Sequence, residues 1–284
     1  MNTLNKDLFE KYLFPLSPIP TSLNQSGKLD KKIKCILFDI YGTLFMSGSG
    51  DISTVKKIFR ETDKIELLLK KFKIKRNVKS LLNNFFDTVA KQHEKSRGKG
   101  INYPEVEIDK IWTLVLDFKN TDVARAFAFE FELIVNPVYP MPDLKKVLHI
   151  LRNRQIILGI ISNAQFFTHC LFDWFLKSDL KKLGFDPELV LFSYKFGYAK
   201  PSTFLFEVAL SRLKEMNIPA ESVLYVGNDM LNDIYPAKKI GFKTGLFAGD
   251  ARSLKLRSDV PICENLSADI VITDLVQLLA YSRR

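Results

Sequence analysis

Two stretches of this chain are apolar on nearly every residue, 156–161 (Ile-Ile-Leu-Gly-Ile-Ile) and 223–226 (Val-Leu-Tyr-Val). A strand with one wet face alternates polar and apolar residues. A continuous apolar run must be covered on both faces, as the inner strands of a parallel sheet are. Helical periodicity surrounds both runs. Helix 143–154 precedes strand 156–161, helix 165–183 precedes strand 189–193, helix 203–216 precedes strand 222–226, and helix 230–240 precedes strand 243–247. Residues 269–273 add an edge strand. Strands separated by helices of this length predict an α/β fold with an open parallel sheet.

The same sheet begins earlier, at a strand over 33–38, but the alternation is then interrupted. From 52 to about 136 the pattern is helical with almost no strand signal, over 53–74, 77–97, 105–118 and 121–135. An insert of roughly 85 residues is large enough to be a domain. The run Ser47-Gly48-Ser49-Gly50 leads into it as a hinge candidate, and Pro137-Val-Tyr-Pro140-Met-Pro142 leads out as a stiff linker. The predicted organisation is an arm over 1–32, a core over 33–48 and 138–284, and a helical unit over 49–137. The arm carries one short helical pattern from Leu4 to Leu13 and then a Pro/Ser segment.

Bulk properties narrow the function classes. No stretch approaches the ~20 apolar residues of a membrane span, and residues 1–20 lack the apolar block of a secretory signal. The three cysteines, Cys35, Cys170 and Cys263, have no paired spacing and read as small hydrophobes of a reducing, cytoplasmic compartment. The net charge of +10 is concentrated over 56–99. Those lysines alternate with Ile65, Leu68, Leu69, Phe72 and Ile74, as the wet face of an amphipathic helix does. No nucleic-acid motif accompanies them, so nucleic acid is not the expected partner; a small anionic molecule is.

Four polar segments fall at strand ends or helix starts, where the strands of an open α/β sheet converge on a ligand crevice. Asp39 ends the first strand and Gly42 turns the chain, with Thr43 beside it. A carboxylate there can act as a nucleophile; by itself it is equally a helix cap. Ser162 and Asn163 end the second strand, where hydroxyl and amide can bind anionic oxygens or merely cap a helix. Lys200 opens a helix, an awkward place for a cation unless it holds an anion and pairs with Asp39. Asp229 and Asp233 lie four apart after strand 222–226, a spacing that suits Mg²⁺ or the acidic start of a helix.

In order and placement the set resembles the haloacid dehalogenase superfamily over about residues 33–280. That resemblance implies a Rossmann-like core with an inserted α-helical cap that closes over the site and selects the substrate. It implies Asp39 as nucleophile, and Thr43, Ser162 and Lys200 as holders of the anionic group, with Asn163 beside them. It implies a Mg²⁺ held by Asp39, Asp229, Asp233 and the backbone carbonyl of Tyr41. The Gly227-Asn-Asp register leaves Asn228 and Asp229 both eligible for the first acidic position.

One departure divides the functional expectation. Phosphatases of the superfamily carry a second aspartate two residues after the nucleophile, and this chain has Tyr41 there. Asp-x-Tyr is similar to the metal-free 2-haloacid dehalogenases, whose halide leaves without a proton and is drawn out by a cap arginine; Arg60, Arg76 and Arg97 are the candidates. A phenol near pKa 10 is a poor general base at neutral pH. The expectation is a Mg²⁺-dependent phosphohydrolase of a small phosphorylated molecule, working through an aspartyl-phosphate at Asp39. A metal-independent dehalogenase and a weakly active binding protein are the alternatives.

Overall fold

A computed structural model describes residues 3–48 and 61–282. Ser49 and Gly50 of the hinge candidate, Arg60, and the first part of the helix expected over 53–74 lie outside the described residues.

The sheet has seven strands: β1 (Ser26–Gly27), β2 (Cys35–Phe38), β5 (Ile157–Ser162), β6 (Phe185–Phe192), β7 (Val223–Gly227), β8 (Lys243–Phe247) and β9 (Ile270–Ile272), in the order β1-β9-β8-β7-β2-β5-β6. All pairs are parallel except β1 with β9. Residues 269–273 were expected at the edge, but β1 pairs outside β9 and becomes the edge itself. The opposite edge is β6, which starts earlier than the sequence pattern predicts. Pro187 sits within it, and an edge strand tolerates a missing donor.

The two apolar runs, as β5 and β7, are inner strands for the reason their composition gave. Along β2, Ile36 and Phe38 join one buried cluster while Cys35 and Leu37 join the one on the other face. Along β7, Leu224 and Val226 divide from Val223 and Tyr225 in the same way. Helices α6 (Leu144–Asn153), α7 (Thr168–Leu176), α8 (Leu180–Leu183), α9 (Ser193–Phe196), α10 (Phe204–Glu215) and α11 (Tyr235–Lys239) follow the α/β alternation. The single helix expected over 165–183 is broken, because Lys177 turns left-handed at φ 54° and Asp179 caps a new start. From β2 the chain moves outward through β5 and β6, then returns to β7 on the other side of β2. That reversal of winding opens a crevice at the carboxyl ends of β2 and β7.

Between β2 and β5 lie α2 (Thr62–Lys71), α3 (Val78–Arg97), α4 (Ile108–Leu116) and α5 (Thr121–Val135). Their shared interior is aromatic: Trp112 stacks on Phe85 and meets Phe127 and Phe131 edge-on. The lysines of α2 and α3 are exposed, as the periodicity implied. At the edge of the hinge candidate and within the expected stiff linker, β3 (Phe45–Ser47) and β4 (Val138–Pro140) pair antiparallel and form a two-stranded stem below the helices.

The N-terminal segment is docked at several points. In α1 (Thr3–Tyr12), Phe9 stacks on Trp174 of α7 at 4.9 Å and meets Phe129 of α5 edge-on at 5.4 Å. Tyr12 Oη donates to Glu130 Oε1 at 2.9 Å. The helix therefore bridges the inserted helices and the sheet layer.

Candidate active site

The sheet's winding brings the ends of β2 and β7 together, and a cavity of about 250 Å³ lies over them. Its lining includes Asp39, Tyr41, Asn163, Lys200, Asn228, Asp229 and Asp233. Asp39 is the first residue past β2, held by its own N–H donating to Val226 O at 2.9 Å. Gly42, at φ 87°, turns the chain immediately afterwards; a side chain there would collide with Asn228 and Ser253.

Lys200 is the centre of the charge arrangement. Its Nζ donates to Asp39 Oδ1 at 2.7 Å, to Asp233 Oδ1 at 2.5 Å and to Tyr225 Oη at 3.1 Å. All three partners and the lysine are buried. Burial alone would discharge the ammonium, but the two acids outweigh it and hold its pKa above the ordinary value. Burial also pushes the Asp233 carboxyl up, to about 6, with the charges of Asp39 and Asp229 adding to it and Lys200 opposing. Tyr225 completes the cluster, with Oη 2.9 Å from Ile161 O and 3.0 Å from Asp233 Oδ1.

Asn163 was expected to touch the ligand. It borders the cavity, but its amide clamps the main chain of Lys200: Oδ1 accepts from Lys200 N at 2.7 Å and Nδ2 donates to Lys200 O at 3.2 Å. Thr43 and Ser162 are fully buried just behind the lining. Thr43 Oγ1 donates to Asn228 Oδ1 at 3.1 Å. Ser162 Oγ makes no hydrogen bond within the described protein, leaving a buried hydroxyl at the end of β5.

Tyr41 reaches sideways, with Oη 2.9 Å from Thr168 Oγ1. Burial pushes its pKa far above that of a free phenol, the Glu132 charge adding to the effect. It stays neutral across the physiological range and does not accept a proton from water.

The expected cation set contains one member that is committed elsewhere. Asp229 caps the π-helical turn Met230–Ile234 through Leu231 N and Asn232 N. Its two oxygens also accept from Arg257 Nε at 3.0 Å and Nη2 at 2.6 Å. A carboxylate holding a bidentate guanidinium is a weak ligand for a second cation. No group of three or more His, Cys, Asp or Glu side chains is placed to hold a metal among the described residues. Mg²⁺ needs only one or two carboxylates, keeping waters for the rest of its octahedron. Asp39 and Asp233, converging on one ammonium, fit that smaller donor set. Asn228, next to the end of β7 and bonded to Thr43, lines the cavity beside Asp229 and carries no guanidinium partner.

Sequence reasoning missed several lining residues: Glu132 and Asn136 at the end of α5, Gln165 after β5, and Lys255. The one signal for Glu132 was an acid inside the apolar run Phe131-Glu-Leu-Ile-Val135.

The site is thus a carboxylate and an ammonium paired at the switch point of a doubly wound sheet. Residues 33–241 match the family of haloacid dehalogenase-like hydrolases, and the chain belongs to it. It is 26% identical over 258 residues to a glyceraldehyde 3-phosphate phosphatase of Pyrococcus furiosus, covering 89% of this chain and 95% of that one. A protein of the same description from Methanocaldococcus jannaschii is 27% identical over 215 residues, covering 75% and 83%. The fold is shared with a 2-haloacid dehalogenase of Pseudomonas syringae (TM-score 0.55, 20% identity, 88% and 97% covered). It is also shared with a phosphatase from Thermococcus onnurineus (TM-score 0.51, 19% identity, 87% and 97% covered). No helix among the described residues is long and apolar enough to cross a membrane.

Proposed function

We propose that this hydrolase cleaves a small phosphate monoester through an aspartyl-phosphate at Asp39. The observation that carries the reading is Lys200 Nζ seated 2.7 Å from Asp39 Oδ1 at the cavity. One carboxylate oxygen is pinned, the other is left to attack, and the ammonium is in place for the charge on the transferring phosphoryl group. Ser162 Oγ, buried and without a protein partner, has a hydrogen to give an equatorial oxygen. The phosphatase relatives support the same reading, and a cavity of about 250 Å³ suits a small substrate.

Asp39, Asp233 and the carbonyl of Tyr41 would hold a Mg²⁺. Bound there, the ion supplies charge neutralisation to the phosphoryl oxygens. Helices α2 to α5, standing on the β3–β4 stem over the cavity, act as the cap that selects the leaving group. The test is hydrolysis of p-nitrophenyl phosphate and of glyceraldehyde 3-phosphate with Mg²⁺, in wild type and in Asp39→Asn. Turnover that needs Mg²⁺ and disappears in the variant supports the proposal; turnover that survives the substitution refutes it.

A second reading draws on Tyr41, which stands where an acid–base aspartate would serve a phosphatase and is tied to Thr168. It is a metal-independent 2-haloacid dehalogenase. Halide released from 2-chloropropionate in EDTA, without phosphate-ester hydrolysis, would favour it.

A further inference from the structure

A phosphatase with Tyr41 in this position lacks a proton donor for its leaving oxygen on the nucleophile's own loop. We propose that Glu132, reaching into the cavity from α5, is the catalytic acid and base; this rests on the phosphohydrolase reading above.

Three observations place it there. Glu132 lines the same cavity as Asp39, Tyr41 and Lys200, from the side of the inserted helices. Its carboxyl is oriented by a short chain of hydrogen bonds. Ser47 Oγ donates to Asn136 Oδ1 at 2.7 Å, which turns the amide so that Nδ2 donates to Glu132 Oε1 at 3.0 Å. Oε1 is thereby an acceptor, and a proton on the group belongs on Oε2. Third, the acid is uncompensated. Glu130, two residues earlier, is held by Tyr12, Lys71 and Lys11, whereas no Lys or Arg ion-pairs with Glu132 among the described residues. An acid kept in a polar cavity without a cation is expensive, and such groups gather at functional sites.

The protons then balance. In the first step Asp39 forms a bond to phosphorus, the bond to the ester oxygen breaks, and Glu132 Oε2 gives its proton to the departing alkoxide. In the second, water bonds to the phosphorus of the aspartyl-phosphate and loses a proton to the Glu132 carboxylate. The bond to Asp39 breaks, releasing phosphate and restoring both acids. Burial raises the Glu132 carboxyl to about 7, against the hydrogen bond from Asn136, so both forms are populated near neutral pH. Across the cavity it faces Asp39, Tyr41, Lys200, Asp229, Asp233 and Lys255.

The experiment compares Glu132→Gln and Glu132→Asp with wild type on p-nitrophenyl phosphate, whose leaving group needs no proton, and on glycerol phosphate, whose leaving group does. In Glu132→Gln, rapid mixing should show a p-nitrophenol burst near one equivalent followed by turnover about 10²–10⁴-fold slower, with glycerol phosphate hydrolysis down by a similar factor and no burst. The wild-type fall in kcat/KM for glycerol phosphate as pH rises through about 7 should vanish in Glu132→Gln and persist in Glu132→Asp. The assignment is overturned if Glu132→Gln stays within roughly threefold of wild type on glycerol phosphate. Equal losses on both esters, burst included, overturn it too, since they mark a structural role. A wild type that hydrolyses neither ester instead sinks the phosphohydrolase reading itself.

Discussion

Replacing Lys200 with methionine should destabilise the protein strongly at pH 8 and much less at pH 5. The substitution keeps most of the side-chain volume, so packing changes little. What it removes is the one ammonium shared by Asp39 and Asp233, whose own side chain is 3% exposed. Breaking a buried pair by deleting one partner costs about 3–5 kcal/mol, because the remaining charge is left unpaired. Here two carboxylates are left, both aimed at the vacated point, and they cannot both stay ionised cheaply.

The pH dependence follows from Asp233. Its carboxyl sits at about 6 in the folded protein, against an ordinary value of 3.8, because it is buried; Lys200 is the group pulling it down. A raised folded-state pKa contributes stability that is full below the unfolded value and lost as pH rises through the folded value. Without Lys200 the folded value rises further, which adds loss only above about 6. Each further unit adds about 1.4 kcal/mol to the difference between pH 8 and pH 5. Urea denaturation of both proteins in EDTA, followed by circular dichroism at pH 5, 6, 7 and 8, reads this directly. At pH 8 the melting temperature should also fall by on the order of 10 °C. A loss below about 1 kcal/mol at pH 8, or one of equal size at pH 5, would refute the shared-ammonium argument.

Two further outcomes are expected. In Gly227→Ala the new methyl would sit inside van der Waals contact of the Asp233 carboxyl. Displacing that acid from Lys200 should cut phosphate-ester turnover about 10²-fold while costing only about 1–3 kcal/mol by denaturant titration; unchanged turnover would show that Asp233 tolerates displacement. Phe9→Ala removes a ring packed between Trp174 and Phe129, a change worth about 3–5 kcal/mol if α1 stays docked and less if it peels away. Amide exchange of α1 should lose protection before that of β2 or β7, and unchanged protection would mean the helix is held by something else.

Much of the core was legible because its physics is local. Runs that are apolar on both faces have one stable environment, so β5 and β7 fell inside the sheet, with a neighbour on each side, within a residue of their expected places. Elements whose stability is borrowed were not legible. The two residues of β1 and the three each of β3 and β4 carry no periodicity and exist only because a partner strand pairs with them. Asp229 shows the same limit inside the site. From the chain alone it and Asp233 are equivalent acids at helical spacing, and the difference is made by Arg257, 28 residues downstream.

The two sides of the cavity differed in legibility for a chemical reason. Asp39 and Ser162, the groups proposed to meet phosphorus, stand at the ends of the adjacent strands β2 and β5, so they are fixed relative to elements that the sequence reveals. Groups that meet the leaving oxygen have no such anchor: any residue of α2 to α5 that overhangs the cavity will serve. Glu132 reaches it because Asn136, one turn later on the same helix, is turned by Ser47 across the β3–β4 stem. The polar contact that orients the acid therefore also ties the inserted helices to the stem, and the group that would protonate the leaving oxygen is oriented only while that stem is paired.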